Sequence, residues 1–275
     1  MRNLRGVPAT AVLEGALEGF SRSSFTALGK TRDLYRTGSG PAVLVMSEIP
    51  GITPLVASFA RRVASIGCTA VLPQLFGVPG AEPTPWLMAR TVAGACISRE
   101  FSTFALRRTS PVTAWLRVLA RAEHEACGGP GVGAVGMCIT GGFALAMTVE
   151  EVVLAPVLSQ PALPFPLNRA HRRDLGISDE DLARVRGRCR TGNVSVLGLR
   201  FSGDKAVPPQ RFARLREELG DAFVAVEIDS GPGNPEGYRK GAHSVLTEDL
   251  RDLENSATRA ALDQVLDLFR SKLLS

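Results

Sequence analysis

The sequence predicts an α/β class fold, a mainly parallel central sheet with helices on both faces. Short apolar runs alternate with helical patterns along the chain, as chains of βαβ units do. With 275 residues, 45% hydrophobic and 21% charged, the chain has material for one large sheet and a sizeable core. A glycine-rich junction, Gly133 to Gly142, carries a strand pattern directly into a helix pattern.

Ala42 to Met46 (AVLVM) is the first buried strand. Leu55, Val56, Phe59, Val63 and Ile66 then mark one helix face, with Gly67 placed to end it. Ala70 to Leu72 is the next strand. Further strands fall at Gly133 to Gly136, Val152 to Val157, Val194 to Leu199 and Ala222 to Ile228. Helices fall at Val112 to Ala126, Asp179 to Val185, Pro208 to Leu219 and Ala257 to Leu273. Phe76 to Pro111 fits neither period and reads as a long, lid-like insert, and a second long connection runs through SQPALPFPLNRAHRRDLG. Long connections in compact domains are usually functional. With no repeat, low-complexity tract or linker, residues 1–275 read as a single domain.

Composition excludes several function classes. No apolar run approaches the roughly 20 residues that span a bilayer. Glu14 and Glu18 interrupt the region where a signal peptide keeps its apolar stretch, so the chain reads as unprocessed and cytoplasmic. Five cysteines, scattered with no CxxC pair, describe neither a disulfide framework nor a metal site. The net charge of +5 is spread in short basic groups without interleaved aromatics, which argues against nucleic acid. A small-molecule partner, and a monomer or small homo-oligomer, fit better.

The chemistry centres on Gly136-Met137-Cys138-Ile139-Thr140-Gly141-Gly142. A strand that turns sharply into a helix around a nucleophile is a nucleophile elbow, and this makes the expected architecture an α/β-hydrolase fold. The helix N-terminus favours a thiolate at Cys138, and the N–H of Ile139 supplies half of an oxyanion hole. Triads on this fold run nucleophile, acid, histidine. Asp204 follows the Val194 to Leu199 strand, and His243 follows the strand after that, so both loops leave the sheet edge that carries the elbow. Of the other two histidines, His124 sits between two glutamates on a helix and His171 in a basic loop, and both read as solvated. His243 alone occupies a triad position.

The pieces SEIPG (Ser47 to Gly51), GMCITGG, SGDKAVPP and AHS, in this order, resemble the motifs of the dienelactone hydrolase family from about Ala42 to Leu250. The resemblance implies a cysteine nucleophile, Cys138, with Asp204 and His243, and no metal or organic cofactor. It implies that Glu48 contacts the nucleophile and helps control its ionisation, and that the N–H of Ile49 completes the oxyanion hole. The chain departs from the family pattern at Thr140, where a glycine is expected. Val78 and Thr247 stand where dienelactone-cleaving members carry two arginines that hold a substrate carboxylate. Arg99 and Arg90, in the polar insert, are the candidates to replace them. The function implied is hydrolysis of an ester or lactone through an acyl-enzyme. A thioesterase or acyltransferase of a biosynthetic pathway, and a non-hydrolytic ligand-binding member of the fold, are the alternatives.

Overall fold

The described chain enters its sheet through a polar hairpin that the apolar pattern does not announce. In the computed structural model, which describes residues 15–275, strands β1 (Ser21–Ala27) and β2 (Lys30–Gly38) are joined by Leu28 and Gly29 at φ 52° and 72°. Two positive-φ residues give the two-residue turn whose twist matches that of the strands. Residues 1–14, with Glu14 and part of the N-terminal reading, lie outside the described residues.

Strand β3 (Ala42–Met46) is buried along its whole length. Helix α1 (Pro54–Ser65) starts where the Thr53 hydroxyl accepts the Val56 N–H at 3.3 Å, which satisfies one orphan donor. It ends at Gly67, φ 94°. Strand β4 (Thr69–Pro73) follows, then α2 (Pro85–Ile97), α3 (Pro111–Cys127) and β5 (Val132–Met137). A tight turn over Cys138–Thr140 leads into α4 (Gly141–Met147). The remainder is β6 (Val153–Ser159), α5 (Arg169–Arg173), α6 (Asp179–Arg190), β7 (Val196–Phe201), α7 (Pro209–Leu219), β8 (Phe223–Ile228) and α8 (Ala257–Leu273).

The eight strands form one sheet in the order β1-β2-β4-β3-β5-β6-β7-β8. β2 pairs antiparallel with β1 and β4, and every other pairing is parallel. One core cluster holds Trp115, Leu116, Phe143 and Phe212 from α3, α4 and α7. The other holds Phe59, Val63, Leu262 and Phe269 from α1 and α8. Helices therefore cover both faces, and the carboxyl ends of β3, β5, β7 and β8 present their loops at one edge, where ligands bind in parallel sheets.

Every strand expected from the sequence is present, with ends shifted by no more than about two residues, the usual uncertainty of such boundaries. The helix expected over Asp179 to Val185 continues to Arg190, because Cys189 extends its buried face. The insert contains α2, which the sequence pattern misses. Its residues, PWLMARTVAGACI, are nearly all apolar, so no single stripe stands out. Phe101 ties the insert down, with its ring 5.6 Å from that of Phe76 and 5.9 Å from that of Phe143 in α4. Among the described residues no helix is long and apolar enough to cross a membrane.

Candidate active site

At the end of β5, Cys138 takes φ 54°, a left-handed conformation that a residue with a side chain adopts only where its surroundings enforce it. Those surroundings are tight. A Cβ on Gly136 would lie 2.1 Å from the Thr140 carbonyl oxygen, and one on Gly141 would lie 2.5 Å from the Pro161 Cα. Thr140, the departure from the family glycine, is fully buried and acts as a clasp. Its hydroxyl accepts the Met137 N–H at 2.8 Å and lies 2.8 Å from the Met46 carbonyl, to which it donates. The elbow is thereby fastened to the neighbouring strand β3.

Asp204 and His243 meet although 39 residues separate them. The Asp204 Oδ2 lies 2.6 Å from the His243 Nδ1, and its Oδ1 accepts the Ala206 N–H at 2.8 Å. The loop that carries His243 is held by Asp249, which accepts the N–H groups of His243 (2.8 Å) and Ser244 (3.1 Å). Asp249 also pairs with Arg239, Nε to Oδ1, at 2.8 Å, and these donors together hold its carboxyl below the ordinary range although burial pushes the other way. Burial likewise works against the His243 imidazolium. The negative charge of Cys138 and the hydrogen bond to Asp204 outweigh it, and the His243 pKa rises from 6.5 to about 11. Asp204 is thus hydrogen-bonded to His243, and Cys138 is among the groups that raise its pKa.

Glu48 is buried after β3, but its carboxylate is engaged elsewhere than at the nucleophile. It accepts from the Ser244 hydroxyl at 2.6 Å, from the Gln160 amide at 3.1 Å and from the Thr247 hydroxyl. Among the described residues these three donors, and not Cys138, are its hydrogen-bond partners. The next residue, Ile49, keeps its N–H free of protein partners among the described residues, and the N–H of Ile139 follows the nucleophile directly.

A cavity of about 330 Å³ opens beside His243, bordered by Glu48, Ile49, His243, Ser244, Thr247 and Met88 of α2, with Cys138 not among its lining residues. The two arginines expected from the insert are not part of it. Arg90 lines a separate cavity with Phe76 and Phe101, its guanidinium 5.2 Å above the Trp86 ring. Arg99 is exposed in the turn after α2. The helical spacing of α2 turns Met88 toward the His243 cavity and Arg90 away from it. The arginine that does border the cavity, Arg239, precedes His243 by four residues, and no sequence signal separates it from other loop arginines. Gln160, directly after β6, could have been found only as the residue at the carboxyl end of a parallel strand. His124 and His171 lie outside the site. Both are half-buried rather than freely solvated, with the His171 ring 2.9 Å from the Asn168 Oδ1.

A family model described as "Dienelactone hydrolase family" matches residues 32–273. A curated Saccharomyces cerevisiae protein, provisionally named a carboxymethylenebutenolidase, is 27% identical over 199 residues, 70% of this chain and 69% of that one. Among solved structures, a dienelactone hydrolase from Anabaena variabilis superposes with a TM-score of 0.60 at 16% identity, covering 92% of this chain and 98% of that one. A dienelactone hydrolase-like promiscuous phosphotriesterase from metagenomic libraries gives 0.59 at 17% identity, with the same coverage. At these identities the solved structures share the fold.

Proposed function

The chain belongs to the dienelactone hydrolase family, and we propose that it cleaves a small-molecule ester or lactone with Cys138 as nucleophile, His243 as acid and base, and Asp204 as the group that orients His243. The observation that carries this reading is the 2.6 Å contact between His243 and Asp204, made beside a cysteine held at positive φ.

The raised pKa of His243 favours a resting thiolate–imidazolium pair. The Cys138 sulfur attacks the substrate carbonyl carbon and a C–S bond forms as the carbonyl π pair moves onto oxygen. The N–H groups of Ile139 and Ile49 receive that oxyanion, with no reorganisation needed at the moment of reaction. As the tetrahedral centre collapses, the C–O bond to the leaving group breaks and the His243 imidazolium gives that oxygen its proton. Neutral His243 then takes a proton from water, which attacks the thiolester. The acid leaves with both oxygens, and the thiolate–imidazolium pair is restored. Asp204 keeps Nδ1 protonated throughout, so that Nε2 is the nitrogen that exchanges protons.

Rapid-quench mass spectrometry during turnover of an activated aryl ester tests the reading. An acyl adduct on Cys138 in wild type, and loss of turnover in Cys138→Ala, are expected. Undiminished turnover in Cys138→Ala would sink the nucleophile assignment.

A further inference from the structure

The charge and apolar lining of the His243 cavity point to a class of substrate, on the premise that this cavity receives the substrate of the proposed hydrolysis. Its volume, about 330 Å³, is at the small end for ligand sites. The cavity also has an apolar lining from Leu55, Pro83 and Met88. Leu55 and Met88 are 42% and 43% exposed, so an apolar substituent seated against them removes their surface from water.

The ionisable groups of the lining add a second, independent observation. Glu48 and Glu248 both border the cavity. Arg239 borders it too, but Asp249 lies 2.8 Å from its Nε and neutralises it, and Asp249 in turn is fixed by the His243 and Ser244 N–H groups. Arg90, which could have supplied a free positive charge from α2, lines the other cavity. With Arg239 cancelled by Asp249, which lies outside the lining, the two carboxylates Glu48 and Glu248 face a single further charge, that of His243. A carboxylate on the substrate would meet like charge there, at a distance where exposed charges still interact at low ionic strength.

We propose that this site selects neutral esters or lactones with a short apolar substituent, seated against Met88 and Leu55, and rejects substrates that carry a carboxylate. Met88 and Leu55 set the fit of the substituent, and Glu248 at the rim repels anions.

The test compares kcat/KM for two pairs of esters at low ionic strength. The first is 4-nitrophenyl butyrate against mono-4-nitrophenyl succinate, which places the charge on the acyl side. The second is 3-carbamoylphenyl butyrate against 3-carboxyphenyl butyrate, which places it on the leaving group. The neutral member of at least one pair is expected to lead by about tenfold or more, with the gap narrowing in 0.5 M salt and in Glu248→Lys. Carboxylate esters turned over as well as the neutral ones in both pairs, in a reaction that depends on Cys138, would overturn the proposal while leaving the hydrolase reading intact. If wild type hydrolyses none of the four, calorimetric titration of Cys138→Ala with the same pairs decides. Preferential binding of the neutral member would then uphold the ligand class and sink the catalytic reading. Binding of the carboxylate member, or of neither, would overturn the proposal.

Discussion

The hydroxyl of Thr247 donates to the carboxylate of Glu48, joining the loop after β8 to the loop after β3 across 199 residues of chain. Ser244 reaches the same carboxylate from the same loop, and Gln160 reaches it from the end of β6. At the position where the family pattern places a substrate-binding arginine, this chain has a residue that faces inward and fixes the site's own architecture. Glu48 becomes the point to which three loops are tied, among them the loop of His243.

Thr247→Val removes one donor while nearly conserving side-chain volume, and leaves Glu48 buried with one partner fewer. Such a loss costs about 1–3 kcal/mol. The midpoint of urea unfolding is therefore expected to fall with the slope unchanged. kcat is expected to fall as well, because the His243 loop loses an anchor. A midpoint equal to wild type would mean that the contact contributes nothing to the fold.

The charge state of His243 follows from its neighbours and can be read directly. With the folded value raised to about 11 against an ordinary 6.5, the imidazolium is the species expected well above pH 6.5 when Cys138 carries its negative charge. Ring nitrogen shifts of His243 are expected to stay in the protonated position at pH 8–9 in wild type. In Cys138→Ala the strongest opposing charge to burial is gone, and the titration is expected to move down toward neutrality. A wild-type titration midpoint near 6.5 would remove the thiolate–imidazolium pair from the mechanism.

Asp204→Asn keeps the shape of the side chain but replaces the acceptor that faces His243 Nδ1 at 2.6 Å with a group that can turn a donor toward it. The wrong tautomer then has its proton on Nε2, where the mechanism needs a free nitrogen. In triads of this kind such a change costs on the order of 10⁴ in kcat. A loss of about 10²–10⁴ is expected here, with KM and circular dichroism little changed. A loss below about fivefold would argue that Asp204 only packs against the ring.

The parts of the fold legible in the sequence are those where burial is continuous. β3, β4 and β5 are buried at every residue and read as uninterrupted apolar runs. The hairpin of β1 and β2 is hidden because β1 lies at the sheet edge with alternate residues in water, and Ser, Arg and Thr suffice there. The elbow was legible because its glycines are dictated by backbone approaches within about 2–3 Å, and sequence records such constraints faithfully. The fate of Glu48 was not, since its partners come from two other loops whose placement relative to its own no local pattern encodes. For the same reason the sequence could not tell which insert residue faces His243, and α2 turns Met88 rather than Arg90 toward it.

Thr140 tests whether the elbow's strain is sustained by a single hydroxyl. The backbone of Cys138 is held at φ 54°, a conformation that costs of order 1–3 kcal/mol unless neighbours enforce it. Thr140 Oγ1 braces the turn, lying 2.8 Å from the Met137 N, 2.8 Å from the Met46 carbonyl and 2.9 Å from the Met137 carbonyl. Thr140→Val removes all three while leaving the methyl in place. The Met137 N–H then loses this acceptor in a site that water does not reach, and a loss of about 1–3 kcal/mol in stability is expected. A fall in kcat larger than any change in KM should accompany it, because the attacking sulfur is displaced relative to the oxyanion donors. Thr140→Ser restores the hydroxyl without the methyl, and is expected to recover most of kcat and to lose only the small packing contribution. Should the serine and valine variants lose kcat equally, the methyl rather than the hydroxyl would be what shapes the turn.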